Sequence, residues 1–494
     1  MKLGEFKIIA ECPKTRARAS IFKLHRGTVN LPTFMPVATK ASMKGVLSSQ
    51  FDHEIILANT YHCRNLNRNL DEFMSYYKPM LTDSGGFQIV SLKDAFVVED
   101  GVIFPNLALD CSDECIARDS DTLINSETEQ KCYISLDDNL VGKEIEQCSE
   151  IKNKKEKDSE IVESEKNTQN INYVNDTTKS ITSSNKKTPK IDKILPHCDE
   201  FISQDTIKCE IEQLDKNYII PPGSIMMSPE DSIKIQNILG ADIIMQLDDV
   251  LNPLQPRDKI EVGMERSLRW LKRCLDAHKN QNQILFPIIQ GGLHDDLRLR
   301  SIDGILKHKI NGIAIGGLCG GENKEDFCKT VDFSIKNLPK ELPKYVMGIG
   351  YPESVVLIIA LGADMSDCVY PTRTARFGRA FTNYGDLCML RTIYATDLRP
   401  IDIDCGCYTC LNYTRAYLFN IKFTTNFCSL MTVHNLFFME NLTKRARNAI
   451  IEGTFENFII SFFNNRYKDK IPQYVLDVFD GFSIDLRQQS KHKN

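Results

Sequence analysis

Tryptophan is almost missing from this chain of 494 residues: Trp270 stands alone beside 25 Phe and 16 Tyr. No uninterrupted run of about eighteen apolar residues occurs, so no stretch reads as a membrane-spanning helix. A basic excess is lacking too, since 61 Lys and Arg face 66 Asp and Glu for a net charge of -5. The chain as a whole does not advertise nucleic-acid binding, and any such contact must come from a local patch. The opening residues, with Glu5, Glu11 and Lys14, hold no apolar run of the kind a secretory leader needs. Cysteine, by contrast, is plentiful at 17. In the reducing, intracellular setting these absences suggest, grouped cysteines mean metal more often than disulfides.

Aromatics and glycine are nearly absent from one internal stretch. Residues 134 to 200 contain one of each, Tyr173 and Gly142, amid Lys, Glu, Asp, Asn and Ser. Such a segment cannot bury enough apolar surface to offset its ordering entropy. Residues 107–219 are therefore expected to be a low-complexity, disordered insertion. It carries Cys111, Cys115, Cys132, Cys148, Cys198, Cys209 and His197, whose irregular spacing argues against a second metal site.

Outside that stretch a pattern repeats. Short apolar runs end in polar residues or glycines at Glu54–Thr60, Pro79–Gln88, Ala241–Asp249, Ile284–Gly292, Gly312–Leu318, Tyr345–Gly350 and Ala363–Asp367. Leu31–Val37 reads as an earlier strand bounded by prolines, and Arg16 and Arg18 flank a hairpin. Helical patterns lie between several runs: Ser228-Pro229-Glu230-Asp231 opens one, residues 257 to 278 form a long amphipathic one, and Pro352-Glu353 opens a third. This alternation describes a parallel sheet buried on both faces. A (β/α)8 TIM barrel and an open doubly wound sheet both fit. The barrel is preferred because candidate site residues end so many strands, whereas an open sheet gathers them at one switch point. The expected organisation is residues 1–106 and 220–400 forming the barrel, with residues 401–494 as a metal-binding subdomain and C-terminal helices.

Asp367 ends the last of these runs, and Arg373, Arg376 and Arg379 follow within a few residues. An acid beside closely spaced arginines suits a carboxylate doing chemistry next to an anion-holding patch. A surface salt-bridge network fits equally well. Further on, Cys405, Cys407 and Cys410 precede His434. Three thiolates and one imidazole can complete a closed tetrahedral zinc site, which would be structural because a catalytic zinc keeps a position open. Three buried cysteines and a core histidine are the plainer alternative.

The motifs Asp83-Ser84-Gly85-Gly86-Phe87-Gln88, Gln290-Gly291-Gly292, Gly316-Gly317-Leu318, Met347-Gly348-Ile349-Gly350, Asp367-Cys368-Val369-Tyr370-Pro371-Thr372-Arg373 and the Cys-x-Cys-x-x-Cys…His group stand in the order found in the tRNA-guanine transglycosylases. The chain resembles that family over nearly all its length apart from 107–219. The resemblance implies a (β/α)8 barrel with one structural zinc per chain. It implies exchange of the wobble guanine of certain tRNA anticodons for a modified base. Asp367 would be the nucleophile and Asp83 the general acid/base. Ser84, Gly85, Gly86, Asp248, Gln290, Gly317 and Leu318 would surround the base, with Phe87 and Met347 on its faces. Thr372, Arg373, Thr374, Ala375 and Arg376 would form the RNA-recognising segment.

Gly320 and Val250 are similar to the eukaryotic pattern, in which glycine replaces a bulkier valine and makes room for queuine in place of its smaller precursor. Those members act in the cytoplasm, some on an organelle surface, with a related non-catalytic subunit or as homodimers. Cys319 departs from the serine or alanine usual there. A non-catalytic scaffold subunit, exchange of the smaller precursor base, and a sugar-processing barrel hydrolase are the competing readings. The presence of both Asp83 and Asp367 weighs against the first.

Overall fold

Strands too apolar to face water on either side form the centre of the structure. The computed structural model describes residues 1–92, 95–104, 224–468 and 470–487. The expectations for 107–219, its cysteines and His197 lie outside these residues.

Three antiparallel strands come first, β1 (Phe6–Glu11), β2 (Arg18–Leu24) and β3 (Gly27–Leu31). Then β4 (Thr33–Ala38), β5 (Ile56–Asn59) and β6 (Met80–Asp83) run parallel. A small antiparallel sheet, β7 (Phe96–Val98), β8 (Gly101–Phe104) and β9 (Ile225–Met227), intervenes. The parallel series resumes with β10 (Ile243–Met245), β11 (Ile284–Phe286), β12 (Ile288–Ile289), β13 (Ile313–Ile315), β14 (Lys344–Val346) and β15 (Met365–Cys368).

The hydrogen-bonded order is β11-β10-β6-β5-β4-β15-β14-β13-β12. Its two ends, β11 and β12, are one stretch of chain interrupted only by Pro287, which has no N–H to give a ladder. The ring is thus an eight-stranded parallel barrel with a proline break in one stave. The sequence pattern placed Asp367 on its seventh run. It ends the eighth stave, because Thr33–Ala38 belongs to the barrel and pairs with β15, Thr33 opposite Met365 through Pro36 opposite Cys368.

Inside the ring, Met35, Leu57, Leu81, Ile243, Met245, Phe286 and Met365 form one apolar cluster with Phe22, Leu24, Val29 and Leu31 of β2 and β3. The N-terminal strands thereby close the barrel floor, at the end opposite the strands' C-termini. The helices cover the outside. Pro229–Leu239 starts as its sequence signals, with Ser228 accepting from the Asp231 N–H and Gly240 closing the far end at φ 70°. Arg257–Ala277 buries Ile260, Met264, Trp270 and Leu271 and exposes its charged face. A 27-residue helix, Thr425–Ile451, packs against β2, β4 and the helix Tyr370–Arg376. Among the described residues no helix is long and apolar enough to cross a membrane.

Candidate active site

Strand polarity brings the polar ends of all eight staves to one rim. Asn59 and Asp83 end neighbouring strands in register. The Asn59 amide Nδ2 donates to Asp83 Oδ2 at 2.9 Å and to Gln88 Oε1 at 3.1 Å. Asp83 is buried, and burial above all pushes its carboxyl up to about 7, with the charge of Asp367 adding to the effect. The Ser84 and Gly85 backbone and Asn59 oppose the shift.

Across the rim, Asp367 Oδ1 accepts from the Tyr345 hydroxyl at 2.6 Å and from the Gly348 N–H at 2.9 Å. Burial raises its pKa, while these two donors hold it down. Both bonds fall on Oδ1.

Asp248 forms the third corner. Gln290 Nε2 donates to its Oδ2 at 2.7 Å, and Ser84 Oγ lies 3.4 Å from its Oδ1. Burial lifts this carboxyl to about 7 as well, against the Gln290 bond and helped by Asp83. The adjacent acid, Asp249, instead meets Arg266 Nη1 at 2.6 Å. Gly86 is required by the close approach of Asp248, whose Oδ1 would lie 2.6 Å from any Cβ there.

The structure therefore brings Asp83, Asp248, Gln290 and Asp367 to one face. Phe87 is 47 % exposed, so its ring is not core packing, whereas Met347 is half-buried and packs against the barrel's inner apolar cluster. Leu318 follows the strand end at Gly316 and Gly317. Glu322, buried, takes the N–H groups of Cys319 at 2.6 Å and Gly320 at 2.9 Å. A Cβ on Gly320 would fall 2.4 Å from Pro253 Cδ, so its missing side chain lets the Asn252–Pro253 loop close in.

The proposed RNA segment is the helix Tyr370–Arg376. Thr372 and Ala375 are buried and anchor it, whereas Arg373, Thr374 and Arg376 are partly exposed. Arg379 pairs with Asp386 at 3.3 Å.

Behind this helix, Cys405, Cys407, Cys410 and His434 place all four donor atoms within 4.8 Å of one another. His434 Nδ1 lies 3.7, 3.4 and 3.3 Å from the three sulfurs. A tetrahedral zinc with sulfur at about 2.3 Å and nitrogen at about 2.0 Å would set these separations at about 3.5 Å. His434 Nε2 sits 2.7 Å from the Phe381 carbonyl, an obligate acceptor, so Nε2 carries the proton and Nδ1 is free for metal. The donor set fits zinc. The next residue, Asn435, accepts from the Phe381 N–H at 3.0 Å and donates to the carbonyls of Pro371 at 3.0 Å and Arg379 at 2.9 Å.

Sequence reasoning assigned no role to Asn59, Tyr345, Glu322 or Asn435. Asn59 carried a signal, since it closes its apolar run as Asp83 closes the next. Tyr345 lies within a strand, where nothing in the sequence sets it apart from core residues.

Buried carboxylates facing one another from different staves place the chain among parallel-barrel enzymes that work with paired acids. The family model for queuine tRNA-ribosyltransferase matches residues 12–112 and 141–468, and the chain belongs to that family of transferases. It is 34% identical over 507 residues, covering 98% of each chain, to the queuine tRNA-ribosyltransferase catalytic subunit of Schizosaccharomyces pombe. The Caenorhabditis elegans catalytic subunit is 33% identical over 502 residues, 95% of this chain and 97% of that one. A bacterial relative, the queuine tRNA-ribosyltransferase of Deinococcus radiodurans, is 30% identical over 479 residues, 94% and 93% of the two chains.

Proposed function

We propose that this chain replaces the wobble guanine of tRNA anticodons with queuine, by double displacement through an Asp367–ribose intermediate. The observation that carries the reading is the pairing of two acids at the rim, Asp83 and Asp367, the charge of Asp367 adding to the upward push on Asp83. Tyr345 and Gly348 occupy Asp367 Oδ1, which leaves Oδ2 to attack.

In the first half, Asp367 Oδ2 bonds to ribose C1′ while the bond from C1′ to guanine N9 breaks. Its electron pair leaves with the base, and Asp83, holding a proton near neutral pH, supplies it to the departing ring. In the second half, the Asp83 carboxylate takes the ring N–H proton of queuine. That nitrogen attacks C1′, and the pair of the C1′–Oδ2 bond returns to Asp367. Two inversions retain configuration, as in retaining glycosidases.

Asp248 and Gln290 meet the polar edge of the base, and Phe87 and Met347 cover its ring. Arg373 and Arg376 hold the anticodon loop, from which the nucleotide turns out to reach the site. Cys405, Cys407, Cys410 and His434 would hold a structural zinc, which supplies cross-linking and no step of the exchange. The word "subunit" in the names of the eukaryotic relatives supports a second, related chain as partner.

A denaturing gel after incubation with tRNA and a guanine analogue should show a covalent protein–RNA band that Asp367→Asn abolishes. Queuine should release labelled guanine from tRNA. Release by the smaller precursor base but not by queuine would overturn the substrate assignment.

A further inference from the structure

Arg298 lies on the helix Asp295–Leu306, outside the barrel wall, and is fully buried. Taking a guanidinium out of water is costly, and such groups usually meet a carboxylate. Here every hydrogen bond goes to a main-chain carbonyl. Nε donates to Gly292 at 2.8 Å, Nη1 to Gly316 at 2.8 Å and Ile289 at 3.3 Å, and Nη2 to Gly317 at 3.4 Å.

Two of these acceptors are consecutive. In an extended strand successive carbonyls face opposite sides. Gly316 and Gly317 can both face Arg298 because Gly317 adopts a left-handed φ of 65°. Peptide planarity sets the rest, since C=O and N–H of a trans unit point in opposite directions. With both carbonyls drawn outward, the N–H groups of Gly317 and Leu318 point away from Arg298, toward the rim. Paired N–H groups of this kind form a concavity that takes a negative or carbonyl oxygen. Among the described residues neither amide has an acceptor of its own. Gln290 borders them, its Oε1 only 2.3 Å from where a Cβ on Gly317 would stand.

We infer that Arg298 is a positioning residue for the base, turning the Gly317 and Leu318 N–H groups into a donor pair for a ring carbonyl such as the 6-oxo group of guanine. The inference rests on the base-exchange reading above. It assigns to a side chain that never touches the base the preference for an oxygen at that ring position.

The test compares guanine with 2-aminopurine, which lacks both the 6-oxo group and the N1 proton of guanine, as inhibitors of tRNA base exchange. Wild type should bind guanine at least about tenfold better. Arg298→Met should shrink that ratio at least severalfold, leaving only the part due to the N1 proton, and raise KM for the base by about tenfold or more, with KM for tRNA unchanged. Arg298→Lys, which keeps the charge but not the fork, should behave likewise, and it carries the test if Arg298→Met does not fold. A wild type indifferent to the 6-oxo group would overturn the base-subsite reading itself. A discriminating wild type with an equally discriminating variant, or a variant whose two KM values rise together, would overturn the role of Arg298 alone.

Discussion

Replacing Asp83 by asparagine should abolish exchange and yet make the protein more stable, increasingly so as pH rises. The Asp83 carboxyl titrates near 3.8 when unfolded and at about 7 in the folded chain. The sign follows from linkage. A folded-state pKa above the unfolded one means that the native state holds the proton more tightly. Stability associated with that proton is fully present below about pH 4 and is lost as pH rises through 7. At about pH 8 the buried carboxylate costs the fold about 4 kcal/mol, from a shift of about three units at 1.36 kcal/mol each. At about pH 5 the same calculation leaves about 1.5–2 kcal/mol. Asp83→Asn removes the charge and keeps a side-chain oxygen that can accept from Asn59. The stabilisation by the variant should therefore be about 2–3 kcal/mol larger at about pH 8 than at about pH 5. Trp270 is the sole tryptophan and is fully buried on the inner side of the helix Arg257–Ala277, so its fluorescence reports urea unfolding directly. Equal stabilisation at the two pH values, or a destabilised variant at the higher one, would refute the claim that burial of this charge is a stored cost.

Tyr345→Phe removes the hydroxyl that holds Asp367 Oδ1, a bond to a charged acceptor worth about 1.5–3 kcal/mol. Formation of the covalent tRNA band should slow about tenfold or more. The deficit should be largest below neutral pH, because losing a donor raises the nucleophile's pKa; a pH-independent deficit would contradict the assigned role. Purified protein should contain about one zinc per chain. His434→Ala should drop that to near zero and lower the melting temperature, so metal analysis showing full occupancy in the variant would rule out His434 as a ligand.

Much of the barrel was readable because parallel strands buried on both faces are continuous apolar runs, and their ends are marked by the first polar residue. Asp83, Asp248, Gln290 and Asp367 lie at such ends, and the resemblance to a known family gave them their expected roles. Pro287 concealed nothing, since its run stayed apolar across the break. Leu31–Val37 was recognised as a strand, but its membership in the ring depended on long-range pairing with β15, which periodicity along the chain does not carry. Tyr345 escaped for a similar reason. Its ring is indistinguishable from core in sequence, and its function lies in a hydroxyl that reaches a carboxylate on the next stave. Nothing in the sequence sets Arg298 apart from the other arginines; only the fold reveals that it faces strand-end carbonyls instead of water.

The adjacency of His434 and Asn435 has a mechanical consequence. One residue belongs to the metal cluster, and the next grips the main chain at Pro371, Arg379 and Phe381. A shift of the helix that opened the thiolate cage would be passed, one residue along, to the segment bearing Arg373 and Arg376. Asp367 is linked to that helix one step further away, through the ladder of β15 to β4, on which the helix also packs. A metal there would act first on the position of that segment and only second on Asp367. A chain without a metal at this cage would first lose the setting of the segment that bears Arg373 and Arg376.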